Sequence, residues 1–295
     1  MLSRRDFLRT TAAVAAASPL LGSLAQAAPV APIAGSKMKL GLVTYLWGQD
    51  WDLKTLITNC EKSGVLGVET RTTHKHGVEP SLSPAQRAEV KKRFDDSPVC
   101  FVGPGSNERF CHTDQAALRR AIEATKAFVK LSHDCGGSGV KVKPNDLPGS
   151  VPRDKTIEQI GRSLEEVGKY AAELGQEIRL EVHGKCSELP TMAAIMEHVE
   201  SPAVGVCWNC NGQDLIGDGL VHNFNLVKDR FGETVHVREF NVGEYPYQQL
   251  VGLLVDMDYD GWVLLECRTR PADRIAALIE QREIFASMIQ KAKAS

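Results

Sequence analysis

The chain alternates eight short, β-rich apolar runs with eight longer amphipathic ones, a pattern that leaves few folds open. Short apolar runs bounded by turn residues indicate strands, and longer runs with an apolar residue every three to four positions indicate helices. Eight such units in about 255 residues match one α/β domain, a single (β/α)8 barrel, in count and length. The predicted strands are Lys39–Leu46, Val65–Thr70, Val99–Gly103, Gly139–Lys143, Glu177–His183, Val204–Asn209, Thr234–Phe240 and Trp262–Cys267.

Capping residues mark several helix ends in this pattern. Ser83 followed by Pro84 predicts a helix start, because Ser caps a first turn and Pro fits the first helical position. Thr113 or Asp114 is expected to cap the helix after the third strand, and Gly175 to end the helix before the fifth. A doubly wound open sheet is the alternative fold. It usually carries a Gly-rich phosphate-binding turn, which this chain lacks after its first strand.

The first 27 residues differ from this pattern. The adjacent Arg4 and Arg5 precede an Ala-rich apolar run that ends in Ala25-Gln-Ala27. A basic start, an apolar middle and a small-residue end predict an export signal, and the paired arginines resemble a bacterial twin-arginine signal. An uncleaved membrane anchor is the alternative, but the run is short for a span. We expect a signal peptide over 1–27, a linker over 28–37 and a barrel over 38–295, in a protein exported to the periplasm.

The charge of the chain argues against several classes of partner. The formal net charge is −2, and the first 27 residues contribute a net +2, so the remainder is mildly acidic. Such a protein has no general electrostatic attraction for nucleic acid or anionic membrane. We expect neither as a partner once the signal is removed, and a homo-oligomer is left open.

The cysteines offer a weak motif. All eight lie after the signal segment, and Cys207-Trp-Asn-Cys210 has the spacing of redox and zinc sites. No second pair accompanies it, and residues three apart on a strand point to opposite faces. Packed, unpaired thiols are therefore the prediction.

Four polar residues recur at the length of the repeat. Glu181, Asn209, His236 and Glu266 lie 28, 27 and 30 positions apart, at or near the ends of the last four predicted strands. In a (β/α)8 barrel the carboxyl ends of the strands form one active-site mouth. Two carboxylates, an imidazole and a carboxamide that meet there are able to hold a divalent metal ion and to move protons.

Further polar residues are predicted at the same mouth. Because side chains alternate along a strand, His183 faces the same way as Glu181, where it contacts substrate or orients that carboxylate. Glu69 ends the second strand, where it binds substrate or, alternatively, forms an ion pair. Lys143 and Arg238 would hold a carboxylate, a phosphate or hydroxyls, or balance the charge of the glutamates. Trp47 follows the first strand, where it stacks on a sugar or packs in the core. All five are predicted substrate-binding residues: Glu69, Lys143, His183, Arg238 and Trp47.

The ends of the last four strands resemble those of the xylose-isomerase-like TIM barrels, the superfamily of sugar isomerases and epimerases that also includes endonuclease IV. The resemblance spans roughly residues 37–290. Its most specific segments are Leu180-Glu-Val-His183, Val206-Cys-Trp-Asn209, His236-Val-Arg-Glu239 and Asp260-Gly-Trp-Val-Leu-Leu-Glu266. In this order and spacing they are typical of the superfamily, although not of one enzyme within it.

The resemblance implies a metal site and a catalytic pair. Metal-dependent epimerases of the superfamily bind one divalent ion, often manganese, through Glu, Asp, His and Glu, which correspond to Glu181, Asn209, His236 and Glu266. Glu181 and Glu266 would also serve as acid and base. Asn209 departs from the usual Asp and leaves three alternatives: a weaker fourth ligand, three protein ligands plus water, or no metal. The ligand set favours Mn or Mg, with Zn, Co or Fe as alternatives.

These observations predict a metal-dependent sugar isomerase or epimerase that removes a proton next to a carbonyl on a carbohydrate. A keto-sugar lyase or hydratase that uses the same site is one alternative. A second alternative is a carbohydrate-binding barrel that has lost catalysis, and Asn209 in place of the usual Asp is the residue that would indicate this loss. A phosphodiesterase related to endonuclease IV fits less well, because the chain has too few metal-binding residues at its strand ends and is acidic.

Overall fold

The barrel prediction is confirmed. In a computed structural model, which describes residues 31–295, eight parallel strands close into one barrel in chain order, and a helix follows each of them. The signal segment predicted for 1–27 lies outside the described residues. The strands are β1 (Lys39–Val43), β2 (Gly67–Arg71), β3 (Cys100–Arg109), β4 (Gly139–Lys143), β5 (Glu177–Glu181), β6 (Val204–Asn209), β7 (Phe231–Val237) and β8 (Trp262–Leu265). The helices are α1 (Leu53–Ser63), α2 (Pro84–Asp95), α3 (Gln115–Asp134), α4 (Arg153–Glu173), α5 (Leu189–Glu197), α6 (Gly219–Val227), α7 (Tyr247–Asp256) and α8 (Arg274–Ala294).

Local capping explains where the helices begin and end. Ser83 and Gln86 form a capping box at the start of α2, with Pro84 at the first helical position, as the sequence predicts. The side chain of Asp114 accepts a hydrogen bond from Ala117 N at the start of α3; such caps typically stabilise a helix by about 1 kcal/mol. After α4 the chain turns at Gly175, whose φ of 64° is the left-handed conformation that glycine adopts readily.

Several predicted strand ends are wrong by a few residues: some strands end earlier than the apolar pattern indicates, where a turn begins, and the third ends later. The first strand ends at Val43 rather than Leu46, since Tyr45 N bonds back to Val43 O at 2.6 Å. The fifth ends at Glu181 rather than His183. The seventh runs Phe231–Val237, earlier than predicted, and the third extends to Arg109. None of these differences changes which residues lie at the mouth.

Alternate strand residues line the barrel in layers of different character. Towards the amino-terminal ends of the strands, the Arg179 guanidinium is bonded to the Glu177 carboxylate, and both side chains are buried. Gly139 gives this guanidinium room, because a Cβ there would lie 2.8 Å from Arg179 Cζ. The carboxyl ends of the strands carry a second polar layer. A small apolar cluster completes the lining: Val43, Val102, Trp262 and Leu264.

Candidate active site at the barrel mouth

The carboxyl ends of β5 to β8 bring the four recurring polar residues together. Glu181 and Asn209 are the last residues of their strands, His236 lies near the end of β7, and Glu266 directly follows β8. All four side chains are buried. Glu181, His236 and Glu266 each offer one ligand atom, and these atoms lie within 4.8 Å of one another. Residues far apart in sequence therefore form one compact cluster.

Asn209 takes part in this cluster through its carboxamide. Its Nδ2 donates a hydrogen bond to Glu181 Oε1 at 2.9 Å. An aspartate in this place would have no proton to donate and would repel Glu181. The carboxamide therefore fixes the orientation of the Glu181 carboxylate without adding a charge.

Lys141 is the residue of this site that the sequence-based assignment missed. Its side chain is 2% exposed, and its Nζ lies 2.9 Å from Glu181 Oε2. The sequence leaves an ion pair with Lys141 or Arg71 as the alternative role of Glu69. In the structure, Lys141 pairs with Glu181 instead. The sequence does contain an indication of this role. Lys141 precedes the predicted site residue Lys143 by two positions on β4, and residues two apart on a strand point to the same side.

Glu69 holds the imidazole of His236. Glu69 Oε2 lies 3.2 Å from His236 Nε2, and the other ring nitrogen, Nδ1, lies 3.6 Å from Glu181 Oε1. Burial alone would lower the pKa of His236, but Cys207 and the neighbouring carboxylates outweigh it and hold that pKa well above its usual range, so without an ion the ring carries a proton on both nitrogens. Binding of a metal ion would displace the proton on Nδ1, while Nε2–H donates to Glu69. Carboxylates often orient metal-binding histidines in this way.

The surroundings of Glu181 and Glu266 shift the pKa values of these two glutamates in opposite directions. Burial alone would raise the pKa of Glu181, but Lys141 and His236 outweigh it and hold that pKa well below its usual range. Burial raises the pKa of Glu266, and the neighbouring negative charge of Glu181 adds to this effect. Such a divergence between two adjacent carboxyl groups is typical of acid–base pairs.

The residues fit a divalent metal ion. Three buried atoms at the site have no hydrogen-bond partner among the described residues: Glu69 Oε1, Glu181 Oε2 and His236 Nδ1. Lys141 lies close to Glu181 Oε2 but outside hydrogen-bond geometry. Two carboxylates and one imidazole form a donor set that suits Mn, Mg, Zn, Co or Fe. Glu181, His236 and Glu266 are therefore the residues that would hold such an ion.

Comparison with known proteins identifies the family. The family model for the xylose isomerase-like TIM barrel matches residues 57–288. The chain belongs to this family. The model for the twin-arginine translocation pathway signal sequence matches residues 1–18, so the predicted export signal is confirmed as of the twin-arginine type. In residues 31–295 no helix is both long enough and apolar enough to span a membrane.

Solved structures of sugar epimerases share the fold of this xylose isomerase-like barrel. An L-ribulose 3-epimerase is 15% identical, with 87% of this chain and 96% of that chain covered and a TM-score of 0.73. A D-allulose 3-epimerase from Methylomonas sp. is 15% identical, with coverages of 88% and 100% and a TM-score of 0.72. A 3-keto-D-glucoside 4-epimerase from E. coli is 15% identical, with coverages of 85% and 99% and a TM-score of 0.71. At these identities the likeness shows the fold alone.

The other predicted substrate residues of this xylose isomerase-like barrel have different surroundings. His183 Nδ1 lies 3.1 Å from Asn145 Oδ1, and Lys143 Nζ donates to Asn107 Oδ1 at 3.1 Å. Both side chains are partly exposed, as is that of Arg238. Their contact with substrate stays a prediction.

Trp47 is not at the surface of the mouth. Its side chain is 2% exposed, and its indole N–H donates to Thr269 O at 3.1 Å. The indole also packs in the hydrophobic core. Substrate contact by Trp47 stays a prediction, but this burial favours the packing role that was its alternative.

Cys207 and Cys210 are packed thiols, as predicted. All eight cysteines are free, and both Cys207 and Cys210 are buried. Burial raises the pKa of the Cys210 thiol far above its ordinary value, so this thiol stays protonated and unreactive.

A buried aspartate lies beyond β6. Asp214 is fully buried, and its Oδ2 accepts hydrogen bonds from Tyr245 OH at 2.6 Å and Asn211 N at 2.9 Å. Its Oδ1 has no hydrogen-bond partner among the described residues. Burial raises the pKa of Asp214 to about 7. Asn211 and Asp214 form a capping box on the short 3₁₀ turn Gly212–Leu215, and this motif is visible in the sequence.

Asp214 predicts a specific pH dependence of stability. Because the folded state binds the proton more tightly than the unfolded state, the stability from this group is complete below the unfolded pKa of 3.8 and is lost as pH rises to about 7. Asp214→Asn keeps an acceptor for Tyr245 and cannot ionise. We expect the melting temperature of the variant to change less with pH across this window than that of the wild type. Above neutral pH the variant should have the higher melting temperature. Equal pH profiles for the two proteins would contradict the assignment.

Proposed function

We propose that this protein is a divalent-metal-dependent sugar isomerase or epimerase that acts in the periplasm. The observation that carries the proposal is the buried cluster of Glu181, His236 and Glu266 at the barrel mouth, with ligand atoms within 4.8 Å of one another. Membership of the xylose isomerase-like family and the fold shared with sugar epimerases support it. The twin-arginine signal supports export of the folded protein.

The chemistry requires a proton acceptor and a proton donor next to a carbonyl. Epimerisation removes the proton on one face of the sugar carbon and returns one on the other, so two carboxyl groups are needed. We assign these roles to Glu181 and Glu266. A divalent ion bound by the cluster supplies the positive charge that stabilises the enediolate oxygens.

The remaining residues of the cluster position this pair. Lys141 and Asn209 contact different oxygens of Glu181, so its carboxylate is held in one orientation. Glu69 holds the ring of His236. Glu266 has no such side-chain partner among the described residues, which leaves it free to approach substrate. Fixed orientation of reacting groups contributes much of the rate in reactions of this kind.

Deuterium incorporation tests the proposed reaction. The metal-loaded protein would be incubated with neutral keto- and aldo-sugars in deuterated water, and the sugars analysed by NMR and mass spectrometry. We expect deuterium on the carbon next to the carbonyl, with the signal abolished by a chelator and restored by Mn²⁺. Loss of water from the sugar would instead identify a lyase. Sugar binding by calorimetry with neither deuterium incorporation nor conversion of any sugar would identify a binding protein and refute the enzyme.

Asn209→Asp tests the metal site separately from turnover. The substitution adds a negative charge beside Glu181 and His236, so we expect Mn²⁺ to bind at least about tenfold more tightly. The measurement is competition with a fluorescent chelator. Asn225→Asp, on the exposed surface of α6, makes the same charge change away from the site and should leave the affinity unchanged. Equal affinity in the two variants would show that residue 209 does not contribute to ion binding.

A further inference from the structure

Among the described residues, Arg71 and Lys143 are cationic side chains at the mouth that form no salt bridge with a carboxylate. Arg71 is the last residue of β2, and Lys143 is the last residue of β4. The guanidinium of Arg71 lies 4.8 Å from the centre of the Tyr45 ring. Lys143 Nζ bonds to the neutral carboxamide of Asn107. Within residues 31–295 neither cation forms a salt bridge, so both charges are available to a ligand.

The strand between these two cations carries a glycine at their level. On β3, Gly105 pairs with Arg71 on one side and with Lys141 on the other. A Cβ at this glycine would lie 2.5 Å from Glu69 Oε1 and 3.4 Å from Lys141 Cε, so the glycine makes room for these two side chains. Arg71 and Lys143 are both partly exposed, so a ligand carboxylate would approach them from the solvent side of the mouth.

The mouth carries no excess of negative charge before any divalent ion is counted. Three carboxylates occur there together with Lys141, Lys143, Arg71 and His236, whose pKa the neighbouring carboxylates help to hold well above its usual range. Asn209 is uncharged. A divalent ion would add two positive charges to a largely buried site, where uncompensated charge is costly. A neutral sugar leaves this excess, whereas a sugar that carries a carboxylate removes part of it.

The two lysines of β4 respond differently to their surroundings. Burial opposes the charge of Lys141, but Glu181 and Glu69 outweigh it and raise its pKa. Burial lowers the pKa of Lys143 to about 8, and the positive charges of Lys141 and Arg71 add to this effect. The nearby glutamates stabilise the charge of Lys143 only in part, and its pKa stays lowered. Lys143 forms no salt bridge among the described residues, unlike Lys141, which pairs with Glu181.

We propose that the substrate is a sugar acid whose carboxylate is bound by Arg71 and Lys143. This inference rests on the proposed function and names its substrate class. The planar guanidinium of Arg71 matches a carboxylate with two parallel hydrogen bonds. Phosphate sites in barrels of this kind usually lie after the seventh and eighth strands, at a helix N-terminus. The pair lies instead after β2 and β4, which favours a carboxylate.

Calorimetric binding tests this inference without turnover. The ligands are a neutral ketohexose, the ketouronate of the same configuration and the ketohexose 6-phosphate. We expect the ketouronate to bind at least about tenfold more tightly than the neutral sugar at low salt, with the difference reduced at high salt. Arg71→Met and Lys143→Met should each remove most of this difference and leave binding of the neutral sugar within about twofold.

Matched variants separate a binding role from a general loss of charge. Lys185→Met removes an exposed positive charge from the loop after β5 and should keep the preference. Lys143→Arg should keep it as well. Equal affinities of the wild type for the ketouronate and the neutral sugar would overturn the inference, as would tighter binding of the phosphate. Deuterium incorporation distinguishes the two proposals: a preserved ketouronate preference with no incorporation for any sugar refutes the reaction, and incorporation with no preference refutes the substrate class.

Discussion

Glu181→Gln is expected to lower the rate of deuterium incorporation into substrate by about 10²-fold or more, the range that a positioned acid or base contributes. The amide cannot accept the substrate proton. It also removes the negative charge that lies 2.9 Å from the buried Lys141 ammonium, so that cation is left without its ion-pair partner. The measurement is the initial rate of deuterium incorporation at saturating Mn²⁺, with the metal content of each preparation determined in parallel.

The controls for Glu181→Gln separate chemistry from metal loss and from folding. Glu266→Gln should produce a loss of similar size, because the second carboxyl group returns the proton. Glu197→Gln makes the same isosteric change at an exposed position of α5 and should have no effect. Full activity in both Glu181→Gln and Glu266→Gln would refute the assigned pair. Loss of activity that follows metal content alone would show that Glu181 is a ligand only.

The parts of the site that follow from strand geometry were predictable from the sequence. The spacing of Glu181, Asn209, His236 and Glu266 equals the barrel repeat, so closure of the barrel alone brings these residues together. The two-residue alternation also predicts that His183 faces the same way as Glu181. No pairwise contact has to be known for either step, because both depend only on regular backbone geometry.

The contacts inside the cluster were not predictable in the same way. Glu69 and His236 are 167 residues apart, and their hydrogen bond depends on the register of β2 against β3, which shifts between Val68 and Glu69. The sequence does not encode such a shift in any local pattern. The partner of Lys141 was not predictable either. The alternation of side chains along the strands leaves both Glu69 and Glu181 as candidates, and the choice depends on side-chain geometry across the barrel.

The polar layer at the other end of the barrel is expected to dominate stability. Arg179 is 1% exposed and donates hydrogen bonds to Glu177 Oε2 at 3.0 Å, to Val102 O at 3.0 Å, to Ser138 Oγ at 2.6 Å and to Glu233 Oε2 at 3.2 Å. Arg179→Met leaves the buried Glu177 carboxylate without its cation. Breaking one partner of a buried ion pair typically costs about 3–5 kcal/mol, and we expect a loss of that order in the free energy of unfolding, measured by denaturant titration.

A matched substitution and a change of pH test this explanation of the Arg179 effect. Arg119→Met removes an arginine that pairs with Glu123 and Glu166 while 52% exposed, so its cost should be much smaller than that of Arg179→Met. Burial already raises the pKa of Glu177, and loss of Arg179 should raise it further. The penalty of Arg179→Met should therefore shrink at mildly acidic pH, where Glu177 is protonated and no buried charge is left unpaired. A penalty that is independent of pH would indicate that lost packing, rather than an unpaired carboxylate, destabilises the variant.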